Sequence, residues 1–158
     1  MLSILFALAA RCLLVMLFLP FSALDKLLNF GSALDQAEQA APSRPLAAIL
    51  VLGGLGFEIV MSLAVLAGVA DRLAAVVLAA YCVVTAVLWK QFWKTPDFRL
   101  RGPSRGRETF WDFLKNLSVA GGFLMLAFGS NAAGFTRFIG DPLGSSHPYA
   151  LVETRDGL

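Results

Sequence analysis

The stretch LAAILVLGGLGFEIVMSLAVLAGV, residues 46–69, decides the class of this chain. A helix needs about 20 mainly apolar residues to cross the ~30 Å hydrocarbon core of a bilayer. This run exceeds that length, and Glu58 is its only ionisable residue. Three other runs approach the same length, so the expected spans are residues 2–24, 46–69, 72–91 and 111–129, with a tail over 130–158. Composition agrees: 58% of residues are hydrophobic, 15% are charged, and the mean hydropathy is +0.71. Soluble domains average about 45–50% apolar and 25% charged. The expected fold is all-α, an integral membrane four-helix antiparallel bundle that makes up a single domain.

The punctuation supports this reading. Gly68 to Arg72 is so short a turn that the second and third helices must be antiparallel neighbours. Gly31 to Pro45 reads as a polar connection, and Pro96, Gly102, Pro103 and Gly106 exclude a continuous helix between Lys90 and Asp112. The first run resembles a secretory leader only superficially. It has no basic leading region, it carries Arg11 inside the apolar run, and its apolar character continues toward Leu27 and Leu28, so a retained helix is expected. Cys12 and Cys82 lack a CxxC spacing and read as small buried residues in helix packing.

Ionisable residues inside such helices are costly, roughly 2.5–3.5 kcal/mol each even on insertion scales, and persist by pairing or by serving a function. Arg11, Glu58, Lys115 and Asn116 are therefore the candidate intramembrane polar cluster, with Asp25, Lys26, Gln91 and Asp112 as supporting residues. At about 1.5 Å per residue, Arg11 lies roughly 14 Å into the first helix and Glu58 roughly 18 Å into an antiparallel second one. That arithmetic places both near the midplane and predicts that they interact, directly or through one bridging polar group. Asp112 stands three residues before Lys115 and four before Asn116, on one helical face nearer the end where Asp25 and Lys26 arrive. Two readings stay open here: a buried ion pair that sets helix register, and a polar pocket for a headgroup, a quinone or a proton. Gly53, Gly54, Gly56, Ala75, Ala79, Ser118 and Gly122 offer small faces for close helix approach. The Gly53 to Phe57 run is no nucleotide loop, since no strand precedes it and Ile59 holds the place of the third glycine.

Basic residues set the orientation. Lys26, Arg44, Lys90, Lys94, Arg99, Arg101, Arg105 and Arg107 lie on one side, against Arg72, Arg137 and Arg155 on the other. The positive-inside rule then puts both termini on the periplasmic side and the arginine-rich connection in the cytoplasm. A net charge of +2 is too small to imply nucleic acid.

Several of these features resemble one family. Arg11 in the first helix is followed by Leu17-Phe18-Leu19-Pro20 and Lys26-Leu27, and a glutamate sits in a glycine-rich second helix. Gln91-Phe92-Trp93 ends the third helix, and Phe113-Leu114-Lys115-Asn116-Leu117 with Gly121-Gly122 opens the fourth. Together, from Arg11 to Gly129, these resemble the DoxX family, the Lys-Asn pair after a tryptophan-containing loop being the most specific part. The resemblance implies a small four-helix protein of the bacterial inner membrane, linked to quinone-dependent sulfur oxidation and other membrane oxidoreductase assemblies. Where relatives often carry a histidine before the Phe-Trp, this chain has Gln91.

The chain has one histidine, His147 in the tail, and no cysteine spacing for a cluster, so haem, iron–sulfur and metal ligation by this chain are not expected. The reading that follows is a non-catalytic subunit that anchors or supports an electron-transfer complex. Its expected partners are membrane lipid and the subunits of that larger oxidoreductase complex, and its expected small molecule is a quinone or a lipid. Trp89, Phe92, Trp93 and Trp111 are the aromatic residues expected to rim that site. Two alternatives stay open: a quinone-binding catalytic subunit, and a small transporter or proton conductor using Arg11, Glu58 and Lys115 as a relay.

Overall fold

The first apolar run does not form one straight helix. In the computed structural model, which describes residues 1–39 and 41–150, α1 (Leu2–Val15) passes through a π-helical turn (Leu17–Ser22) into α2 (Ala23–Leu28). Pro20 is the cause: it has no N–H to donate and it forces the preceding residue out of the helical region. Leu19 accordingly has φ −123° and ψ 112°. The segment read as a polar connection contains a further helix, α3 (Phe30–Glu38), whose buried Leu34 and Ala37 pack on Ala47 and Val51.

The quoted stretch forms α4 (Arg44–Ala67), with Pro45 in its first turn, where a missing N–H costs nothing, and Gly68 at φ 71° ending it. After that turn α5 (Asp71–Trp89) runs back antiparallel. A 3₁₀ turn (Phe92–Lys94) follows, and then α6 (Arg105–Phe128), whose first turn is capped by the Ser104 hydroxyl accepting from the Arg107 N–H at 3.1 Å. A short α7 (Ala132–Gly140) begins at Asn131, whose side chain accepts from the Gly134 N–H at 3.1 Å. The described residues contain no strand.

Three helical segments are long and apolar enough to cross a membrane: Leu2–Leu28, Arg44–Ala67 and Asp71–Lys94. The fourth qualifies only when Arg105–Phe128 and Ala133–Gly140 are taken together, bent by 72°. The reason is compositional, since Arg105, Arg107, Glu108, Asp112 and Lys115 occupy the first three turns of α6. The all-α membrane bundle is thus the observed fold.

The core is narrow and built from small residues. Ala74, Ala75, Leu78, Ala79 and Cys82 of α5 face Ala120, Phe123 and Ala127 of α6, with Val15, Phe18 and Val65 closing the cluster. Gly122 admits Leu14, since a Cβ there would lie 2.7 Å from a Leu14 methyl. Gly53 and Gly56 have open space and Ser118 is exposed, so they play no part in close helix approach. Cys82 is buried as expected, but Cys12 faces outward. Outward too are Leu5, Phe6, Leu13, Ile49, Leu52, Phe57, Val60 and Val84, an apolar surface suited to lipid and far too extensive for water.

Candidate functional site

Two buried ion pairs hold the bundle, and neither is the pair that depth arithmetic predicts. Arg11 and Glu58 do not meet. Arg11 donates to Asp71 at 2.6 Å, to the Val65 carbonyl at 2.5 Å and to the Ser146 hydroxyl at 2.8 Å. Glu58 instead accepts from Lys26 at 2.6 and 2.8 Å, and Lys26 also donates to Ser22 at 2.6 Å. Two structural facts account for the correction. The first turns of α1 are largely exposed, so Arg11 lies level with the last turn of α4 instead of the midplane. The Pro20 break then redirects α2 across α4 and carries Lys26 to Glu58, whose side chain is 1% exposed.

The Arg11–Asp71 pair lies at the end of the bundle that carries the α4–α5 turn, and the tail closes it. Asp71, 0% exposed, accepts from the Ser146 N–H at 2.8 Å and from the Ser146 hydroxyl at 2.5 Å. Ser145 donates to the Gly68 carbonyl at 2.6 Å and Tyr149 to the Leu66 carbonyl at 2.5 Å. Both oxygens of this fully buried carboxylate accept from fixed donors, one from the Ser146 N–H and the other from Arg11 and the Ser146 hydroxyl, so the cluster is a structural lock. Nothing local in the tail announced it, and Asp71 read only as part of a turn.

The other pair opens onto a cleft. A cavity of about 510 Å³ extends from Glu58 toward the end of the bundle that carries the α5–α6 loop. Its polar lining includes Asp25, Lys26, Glu58, Asp112, Lys115 and Asn116, and its aromatic wall is Phe18, Tyr81 and Trp89. Most of the expected cluster is therefore brought together here, with Arg11 excluded. Tyr81 reaches the cleft over Gly54, one turn before Glu58, where a Cβ would come within 3.2 Å of the hydroxyl. The Trp89 indole donates to the Gln36 carbonyl at 3.1 Å, tying α3 to α5 across the rim.

At the rim, Asp112 accepts from Lys115 at 3.2 Å and from Lys90 at 3.5 Å. Lys26 spends its three donors on Glu58 and Ser22. Lys115, 72% exposed, keeps two. The Asn116 amide makes no hydrogen bond among the described residues, and Lys90, which also lines the cleft, makes only its bond to Asp112, so Lys90, Lys115 and Asn116 all hold spare donors at this rim.

Four expected residues lie elsewhere. Gln91 donates back to the Val87 carbonyl of its own helix at 2.9 Å. Phe92, Trp93 and Trp111 belong to an aromatic cluster under the α5–α6 loop, with Phe98, Phe110 and Phe113, so Trp89 is the only one of the four predicted rim aromatics that lines the cleft. The rings meet mostly edge to face, because Phe92, the first residue of the 3₁₀ turn, lies against Phe110 and Phe113 in the first turns of α6.

A family model described as DoxX matches residues 6–91, more than half of the chain. The chain belongs to the DoxX family. The match covers Arg11, Lys26, Glu58, Asp71, Tyr81 and Trp89 and ends before α6, so Lys115 and Asn116 of this DoxX protein lie beyond it. No curated protein and no solved structure matches the chain.

Proposed function

We propose that this DoxX protein is a non-catalytic subunit of the bacterial inner membrane, with both termini periplasmic, and that it supports a quinone-linked oxidoreductase complex. Its part is to seat the head of a quinone, or of an amphiphile with the same acceptor oxygens, in the cleft. The observation that carries this reading is the meeting, in one cavity of about 510 Å³, of the spare donors of Lys90, Lys115 and Asn116 with an aromatic wall above the Lys26–Glu58 pair. Cavities of roughly 300–1,000 Å³ with apolar walls and a few convergent polar groups are the usual form of small-molecule sites. A quinone carbonyl accepts hydrogen bonds, and its ring stacks against Tyr81 or Trp89. The partner supplies the electrons.

Titration of the purified protein with a short-tailed benzoquinone, followed by its thermal midpoint, tests the site. Binding should raise the midpoint, and Lys115→Leu with Asn116→Leu should remove most of that rise while leaving the unliganded midpoint nearly unchanged. No rise with the native chain defeats the quinone reading. In the native membrane, deleting the chain should weaken quinone-coupled activity of a larger complex.

A further inference from the structure

The connection between α5 and α6 and the first turn of α6 carry five cations, Lys94, Arg99, Arg101, Arg105 and Arg107, none of which pairs with a carboxylate among the described residues. Setting the topology of the chain requires such charges in this loop but does not require the loop to be ordered. Here it is folded tightly. Asp97 accepts from the N–H groups of Arg105 at 2.9 Å and Gly106 at 3.0 Å, so its carboxylate serves the start of α6. Gly106 lets the Phe98 backbone approach so closely that a Cβ would sit 2.7 Å from its Cα. The Phe98 ring lies 5.2 Å from Phe92 and 5.8 Å from Phe110, and Arg99 donates to the Pro103 carbonyl at 3.0 Å.

Beside these cations large apolar groups are exposed, Leu100 at 65% and Trp93 at 50% before α6 and Trp111 at 48% in its second turn. A purely aqueous loop has no reason to hold them out. At a headgroup layer the two sets are complementary, since tryptophan rings favour the interface and guanidinium groups bind phosphate oxygens in pairs. The candidate span Asp71–Lys94 ends in this loop and α6 begins just beyond it, which would put the loop at the headgroups of its own membrane. We infer that the α5–α6 loop is a preformed binding surface for anionic phospholipid headgroups, independent of the cleft and of the quinone reading.

The tryptophans make the test direct, because all three of them, Trp89, Trp93 and Trp111, lie at this end. The full chain is placed in phosphatidylcholine nanodiscs doped with brominated phosphatidylglycerol or brominated phosphatidylcholine, and tryptophan quenching is followed against mole fraction. Phosphatidylglycerol should quench at a several-fold lower mole fraction, and raised salt should shrink the difference. Replacing Arg99, Arg101, Arg105 and Arg107 by glutamine should abolish the several-fold preference, because each arginine near an anionic surface adds to it. Equal quenching by the two lipids, a preference insensitive to salt, or one that survives the quadruple change overturns the proposal. A chain that binds soluble polyglutamate without preferring the anionic lipid points instead to an acidic protein partner and overturns it too. Should the quadruple variant not fold, the salt dependence of the native chain decides.

Discussion

Glu58 shows what a single buried charge demands. Near the middle of α4 its side chain is only 1% exposed, and Lys26 is the cation that reaches it. Removing one member leaves the other unpaired at a cost on the order of 3–5 kcal/mol, whereas replacing both by apolar residues is often nearly neutral. Lys26→Met and Glu58→Leu should therefore each lower the thermal midpoint in detergent strongly, and the double variant should recover most of it. The same cycle on Arg11 and Glu58 should give additive losses, and strong coupling there would contradict the observed pairing. The glycines of α4 differ in the same way. Gly53→Ala meets open space and should stabilise by roughly 0.5–1 kcal/mol through helix propensity, while Gly54→Ala presses on the Tyr81 hydroxyl and should gain less or lose.

Among the elements, the tail after α7 is the one that sequence patterning read least well. A Gly/Pro-containing segment carries no periodicity, yet Ser145, Ser146 and Tyr149 bind the end of α4 and the start of α5. Hydrogen bonds to a charged group are worth about 1.5–3 kcal/mol each. Ser146→Ala keeps the N–H bond to Asp71 but loses the hydroxyl, so it should destabilise by roughly 2 kcal/mol. Ser145→Ala, whose hydroxyl meets a neutral carbonyl, should cost about 1 kcal/mol. Urea or thermal unfolding of the detergent-solubilised chain checks the order, and equal losses would show that Asp71 does not depend on the tail. α3 was missed for a different reason: its apolar stripe of Phe30, Ala33, Leu34 and Ala37 is short and is interrupted by Gly31 and Asp35.

For the whole molecule, the two ends of the bundle differ in chemistry. One holds the Arg11–Asp71 lock and the tail, the other the cleft mouth and the basic loop. The proposed orientation puts the basic end in the cytoplasm. Single cysteines at the exposed Arg101 and Leu143 positions, in a Cys12→Ala background, should react with a membrane-impermeant reagent from the cytoplasmic and periplasmic sides respectively. Reversed labelling would invert the protein without touching the fold.

Length and hydropathy alone were enough for the all-helical membrane class and the antiparallel α4–α5 turn, because each depends on residues close together in the chain, whereas the break at Pro20 and the bend after α6 were not read from them. They also marked Glu58, Lys115 and Asn116 as residues needing an explanation, since an unpaired charge in hydrocarbon is expensive wherever it sits. Which cation meets which carboxylate was decided by the tertiary structure. Axial register between apolar helices is nearly degenerate in sequence, for one leucine face slides past another at little cost, and the direction of the chain after Pro20 is a matter of packing. The break carried Lys26 to Glu58, the overhang of α1 carried Arg11 to Asp71, and the return of the tail sealed that second pair.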